Sequence, residues 1–195
     1  MKVAAIVEGQ GEVEALPVLL RRLGEWRSPA MFAQVLEPIR VRRDRFLNRD
    51  DEFRKYLLLA AAKCGEDGWV LVLLDADDDC PAELSVEILN RVRTCVPHRR
   101  VSVVMANREY EAWFIAASRS LHGRRGFAID QNEHIDPETP RNAKGWIGAR
   151  MAASAYREIT DQPAFSAHMD LQQAFDHSRS FRKLCAEWDR QSNEI

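Results

Sequence analysis

The chain has 195 residues and a mass of 22.4 kDa, enough for one domain with a hydrophobic core and too short for a multidomain machine. With 46% hydrophobic and 30% charged residues, 9 Gly and 8 Pro, it is not disordered, collagenous or a coiled coil. A net charge of −2 removes any bulk electrostatic pull toward nucleic acid.

No apolar run approaches the roughly 18 residues of a membrane span, and Glu8 arrives too early for a signal peptide. Cys64, Cys80, Cys95 and Cys185 contain no C-x-x-C pair and no zinc spacing to a histidine, so a reduced cytoplasm with free thiols is expected. Of the 28 basic residues 23 are Arg, a bias that suits bidentate phosphate or carboxylate contacts and that genome base composition explains equally well.

A first strand over Lys2 to Val7 ends in the turn Glu8-Gly9-Gln10-Gly11. Val13, Leu16, Leu19, Leu20 and Leu23 then recur at helical spacing, with Gly24 expected to close that helix. A weaker strand is expected over 32–41, broken at Pro38, followed by a helix with Phe53, Leu57, Leu58 and Ala61 on one face. The run from Trp69 to Leu74 is continuously apolar, as in a strand buried on both faces, and ends at Asp75. A helix follows from about Pro81 to Thr94, then a strand over Val101 to Ala106, then a helix beginning near Glu109. This alternation predicts an α/β core over 1–120, a mainly parallel sheet of about four strands flanked by helices. Residues 121–195 read as a loop and helical appendage packed on that core, with helical pieces near 142–156 and 181–188.

Ligands of open α/β sheets gather outside the carboxyl ends of the strands, and here every clear strand ends in acid. Glu8 follows the first, Asp75, Asp77, Asp78 and Asp79 the buried one, and Glu109 and Glu111 the last, while Glu12 lies in the first helical turn. Converging carboxylates repel one another unless a cation sits among them, and oxygen ligands without Cys or His suit Mg²⁺ or Mn²⁺. For Glu12, Asp78 and Asp79, helix capping and dipole complementation are equally good explanations. A cap does not explain Glu8 together with Asp75 and Asp77, which belong to two separate strand ends.

Other motifs fail. Asp75, Asp77 and Asp79 open like an EF-hand, but Cys80 and Val86 stand where Gly and Glu are needed. The glycines at 9 and 11 complete neither a P-loop nor a dinucleotide fingerprint. His98, His122, His134, His168 and His177 show no metal spacing, and the tryptophans other than Trp26 are spaced as core anchors.

In Val7-Glu8-Gly9 and Leu74-Asp75-Ala76-Asp77 the chain resembles the Toprim fold of topoisomerases, primases, small ribonucleases and overcoming-lysogenization-defect nucleases. Glu111-Ala112-Trp113 and Ser180-Phe181-Arg182 are similar to segments of a bacterial family of small stand-alone Toprim-like proteins of unassigned function. The resemblance implies a Mg²⁺ (or Mn²⁺) site for phosphoryl transfer, with Glu8 as ligand or proton shuttle, Asp75 and Asp77 as ligands and Glu111 completing the shell. Glu12, Asp79 and Glu109 are further candidate ligands, and Lys144 is a candidate transition-state stabiliser. It also implies a partner ATPase of the ABC or SMC type in a defence or repair system. The chain has no room for the accessory domains of a topoisomerase or primase, so its size favours a nuclease or a subunit.

Arg40, Arg42, Arg43 and Arg45 are the candidate contacts to nucleic acid, with Arg40 and Arg42 expected on one strand face; a salt-bridged surface is the alternative. Two further readings stay open: a non-catalytic module that docks a basic partner through its acidic end, and a metal-dependent transferase holding a nucleotide diphosphate.

Overall fold

Strand β1 (Lys2–Val7) buries every residue after Lys2, with Val3, Ala5 and Val7 on one face of the sheet and Ala4 and Ile6 on the other. The computed structural model describes residues 1–130, 132–133, 135–152 and 155–193. His134, Ala153 and Ser154 in the expected 142–156 helical piece, and the last two residues of the expected appendage lie outside the described residues.

Helix α1 (Gln10–Arg27) follows, then the short strands β2 (Gln34–Val35) and β3 (Ile39–Arg40), and helices α2 (Arg43–Asn48) and α3 (Asp50–Cys64). Strand β4 (Trp69–Asp75), helix α4 (Pro81–Cys95) and strand β5 (Arg100–Ala106) complete the alternating part. Beyond it come α5 (Ala112–Ala116), α6 (Ser118–Leu121), α7 (Ala143–Gly148), α8 (Glu158–His168), α9 (Leu171–His177) and α10 (Arg179–Asn193).

The described strands form one parallel sheet in the order β2-β1-β4-β5, with β3 also pairing with β1. Five strands stand where about four were expected, because the 32–41 segment divides around Pro38. Lys2 and Val3 pair with Gln34 and Val35, and Ile6 and Val7 pair with Ile39 and Arg40. Between these two short ladders Pro38, lacking an N–H, cannot donate. Since β3 ends at Arg40, Arg42 begins α2 instead of sharing a strand face with Arg40.

Two apolar clusters sandwich the sheet. Val70, Val72, Leu74, Val103 and Met105 face Phe46, Phe53, Leu57, Ile88 and Val92 of α2, α3 and α4. Trp69, Leu71, Leu73 and Val104 face Leu16, Leu19, Leu20 and Leu23 of α1, together with Phe165, Phe181, Leu184 and Trp188 of α8 and α10. The segment after Leu121 therefore contributes core residues to one face of the sheet. Gly24 lies inside α1 instead of closing it, because a Cβ there would stand 2.9 Å from the Trp188 ring; the helix runs three residues further to seat that indole. Trp69, Trp113 and Trp188 are fully buried, whereas Trp146 is half-buried under the Arg150 guanidinium at 3.7 Å.

Candidate functional site

Parallel strands bring the carboxyl ends of β1, β4 and β5 to one edge of the sheet. Glu8 follows β1, Asp75 is the last residue of β4, and Glu111 closes the turn between β5 and α5. Helix α1 starts two residues after Glu8, with Gly9 as its cap, so its first turn places Glu12 behind Glu8, where Glu12 Oε2 accepts the Glu8 backbone N–H at 3.3 Å. Relative exposures of 2% for Glu12, 5% for Asp75 and 0% for Glu111 leave these carboxyls almost without solvent screening.

Burial is the main reason that the four carboxyls titrate high, and repulsion from neighbouring carboxylates adds to it at Glu8, Glu12 and Asp75. Burial pushes Glu12 up to about 8, with Glu8 and Glu111 adding to the effect against the hydrogen bonds from the Gly9 and Glu8 backbone. Asp75 is raised well above the carboxylate range by burial and then by Glu12, Glu111 and Glu8. Burial pushes Glu111 up to about 7 against Lys144 and its hydrogen bonds. Glu8 is raised by burial and by Asp77, against Arg43 and Lys144. Lys144 is the cation common to this group. Burial pulls it down, but Glu111, Glu158, Asp75 and Glu109 outweigh that and raise it, and its Nζ lies 3.5 Å from Glu158.

The hydrogen bonds are unevenly shared. Asp75 Oδ1 accepts the Tyr110 backbone N–H at 2.8 Å. Glu111 Oε1 accepts from Tyr156 Oη at 3.0 Å and Gln162 Nε2 at 2.7 Å, while Glu111 Oε2 and Glu8 Oε2 are buried without any partner. Three buried carboxyls and the half-buried Glu8, two of the four with an orphaned oxygen, beside one lysine must hold either protons or a cation. An all-oxygen donor set fits a hard divalent ion such as Mg²⁺ or Mn²⁺. Among the described residues, no group of three or more His, Cys, Asp or Glu side chains is arranged to hold a metal ion.

The remaining candidates surround this group. Asp77 is exposed, with a left-handed backbone (φ 50°), and exchanges bonds with Arg108 (φ 63°): the Asp77 N–H donates to the Arg108 carbonyl at 3.0 Å and Arg108 Nη1 to the Asp77 carbonyl at 3.1 Å. Two non-glycine residues with positive φ store strain at this edge. Arg43 lies 3.3 Å from Asp77 and 2.7 Å from Asp79, and its buried Nε has no partner. Asp78 is held by Arg108 and Arg141. Arg40 donates to the Glu8 carbonyl at 3.1 Å and to Gln10 at 3.0 Å. Glu109 accepts the Lys144 backbone N–H at 2.9 Å and so anchors the start of α7. Arg45 lies 3.9 Å from Glu52, and Arg42 is exposed at the start of α2.

Sequence reasoning missed Gln162 and Tyr156, which reach Glu111 from 51 and 45 residues away. The available signal was Gly11. A Cβ there would stand 2.1 Å from Gln162 Oε1 and 2.7 Å from the Glu158 carbonyl, so the residue after Gln10 must be glycine for α8 to approach.

No described helix is long and apolar enough to cross a membrane. No curated protein and no solved structure matches the chain. The model of the family described as "Domain of unknown function (DUF4276)" matches residues 7–188, a span that includes Glu8, Asp75, Glu111, Lys144 and Gln162, and the chain belongs to that family.

Proposed function

We propose that this protein is a Toprim-type nuclease, a Mg²⁺- or Mn²⁺-dependent phosphoryl-transfer enzyme acting on DNA or RNA phosphodiesters. The observation that carries the reading is the set of buried carboxyls Glu12, Asp75 and Glu111 with the half-buried Glu8 at one edge of a parallel sheet, with two orphaned oxygens and Lys144 beside them.

Glu8, Asp75 and Glu111 would hold the ion, with Asp77 at the rim and Glu12 behind. When bound, such an ion stabilises the attacking and leaving oxygens of an in-line displacement at phosphorus. Glu8 would serve as ligand or as proton shuttle, taking a proton from the attacking water and returning it. Lys144 is held protonated by its carboxylate neighbours and supplies fixed positive charge where negative charge accumulates on the phosphoryl oxygens. Arg43, whose Nε lacks a partner, and Arg40 would hold the phosphate backbone at the rim, and Arg42 and Arg45 would extend that contact along α2. Asp79 and Glu109 support the rim by fixing Arg43 and α7. A partner ATPase of the ABC or SMC type, in a defence or repair system, belongs to the same reading.

The test is cleavage of supercoiled DNA, single-stranded DNA and total tRNA in Mg²⁺ or Mn²⁺, comparing wild type with Asp75→Ala. Cleavage that disappears in the variant supports the reading and names the substrate. Equal turnover in both proteins would overturn it.

A further inference from the structure

Glu111 is fully buried, yet both of its side-chain hydrogen bonds fall on the same oxygen. Oε1 accepts from Gln162 Nε2 at 2.7 Å and from Tyr156 Oη at 3.0 Å, and Oε2 is left bare. A carboxylate that receives two neutral donors on one oxygen is fixed in rotation, so its second oxygen has a defined direction.

The donors are themselves fixed. Gln162 is fully buried in α8 and stands against Gly11 of α1, where any side chain at position 11 would collide with its amide. The Glu111 oxygen selects the end of the amide that meets it: Nε2 donates, and Oε1 lies beside Gly11 without a partner. The Tyr156 ring stacks on Phe165 of the same helix, with centroids 6.2 Å apart and planes 26° apart. Phe165 in turn belongs to the core cluster of the sheet. Thus α8 holds one of the two hydrogen bonds to Glu111 directly, through Gln162, and the other through the Phe165–Tyr156 stack.

We infer that Gln162 and Tyr156 are positioning residues that lock Glu111 Oε1, so that the bare Oε2 is presented to the divalent ion by the part of the chain beyond residue 121. The inference rests on the metal reading above and extends it, since it makes α8 and Tyr156 part of the site. Nothing in it requires either residue to touch substrate. Outer-shell partners of this type typically change metal affinity by roughly 10- to 100-fold.

The experiment uses the full chain and Mn²⁺ as probe, with free Mn²⁺ counted by electron paramagnetic resonance and the metal-free melting temperature measured alongside. Tyr156→Phe keeps the ring stacked on Phe165 and removes only the hydroxyl; Gln162→Met keeps the bulk and removes the donor. The expected result is roughly tenfold weaker Mn²⁺ binding for each variant, together with a changed bound-Mn²⁺ line shape, while the metal-free melting temperature of Tyr156→Phe stays near that of wild type. Should Gln162→Met fail to fold, Tyr156→Phe decides alone. Wild-type Mn²⁺ affinity and line shape in the variants would overturn the positioning role and leave the metal reading standing. Wild-type protein that takes up no Mn²⁺ would overturn both.

Discussion

The indole N–H of Trp113 donates to Ser180 Oγ at 2.8 Å, and the same hydroxyl oxygen accepts the Asn107 backbone N–H at 3.1 Å. Two short motifs far apart in the chain, Glu111-Ala112-Trp113 and Ser180-Phe181-Arg182, thus meet beneath the turn that carries Glu111, and Phe181 packs edge-on against Trp113 at 5.5 Å. Ser180→Ala strands two donors in a buried setting and is expected to lower stability by about 1–3 kcal/mol. Chemical denaturation would read this as a lower midpoint with an unchanged slope, and an unchanged midpoint would show that the hydroxyl contributes nothing.

Asp75 has two separable duties. Its Oδ1 satisfies the Tyr110 N–H, and its charge repels three other carboxyls. Asp75→Asn retains an acceptor and removes the charge, so the metal-free protein should melt at or above the wild-type temperature. Its response to Mg²⁺ should vanish. Melting curves in EDTA and in Mg²⁺ check both halves, and an Asn variant that Mg²⁺ still stabilises as strongly as wild type would remove Asp75 from the metal set.

The acidic group also fixes the pH dependence of the metal-free protein. Glu12 moves from 4.5 to about 8 on folding and Glu111 from 4.5 to about 7, so between those values the folded state holds more protons than the unfolded chain. Stability is therefore full below about pH 4.5 for these two groups and falls as pH rises through about 7 and 8, by a total on the order of a few kcal/mol. In EDTA the melting temperature should drop between about pH 6 and pH 8.5, and Mg²⁺ should restore most of it at the upper end. A melting temperature that rises across that interval in EDTA contradicts the burial of these acids.

Arg43 holds Asp77 and Asp79 with its terminal nitrogens, so a phosphate must compete with those two carboxylates for it. Arg43→Gln is expected to weaken binding of nucleic acid across sequences alike and to reduce the salt slope by about one. Fluorescence anisotropy over a salt series measures both; an unaltered slope would place the phosphate backbone elsewhere.

Much of this architecture was legible in the sequence because it rests on local pattern. The apolar run ending at Asp75 is typical of a strand buried on both faces and is one, and Glu8 and Asp75 follow directly from where β1 and β4 stop. Glu12 was ambiguous for a physical reason: a helix's first turn welcomes an acid whether or not it has a ligand, and only its near-complete burial separates the two. Gly24 looked like a helix stop because glycine commonly is one, and nothing local announces that Trp188 needs the space. Gln162 and Tyr156 left no sign of their own beyond Gly11, since their significance depends on a helix packing against α1 from the far end of the chain.

That long-range packing bears on how the protein is made. Arg22 Nη1 donates to the Ser166 carbonyl at 2.7 Å across 144 positions, and the apolar stripe of α1 is covered by α8 and α10. On the ribosome, Leu16, Leu19, Leu20 and Leu23 emerge early and stay partly uncovered until α8 and α10 follow, which favours slow, non-local closure and chaperone engagement of the nascent chain. Arrested nascent chains ending before Glu158 should be cut rapidly by a protease that spares the full-length product. Glu111 receives Tyr156 and Gln162 only at that late stage, so a partly synthesised chain cannot carry a finished acidic pocket, and any activity is confined to molecules that have completed synthesis and folding.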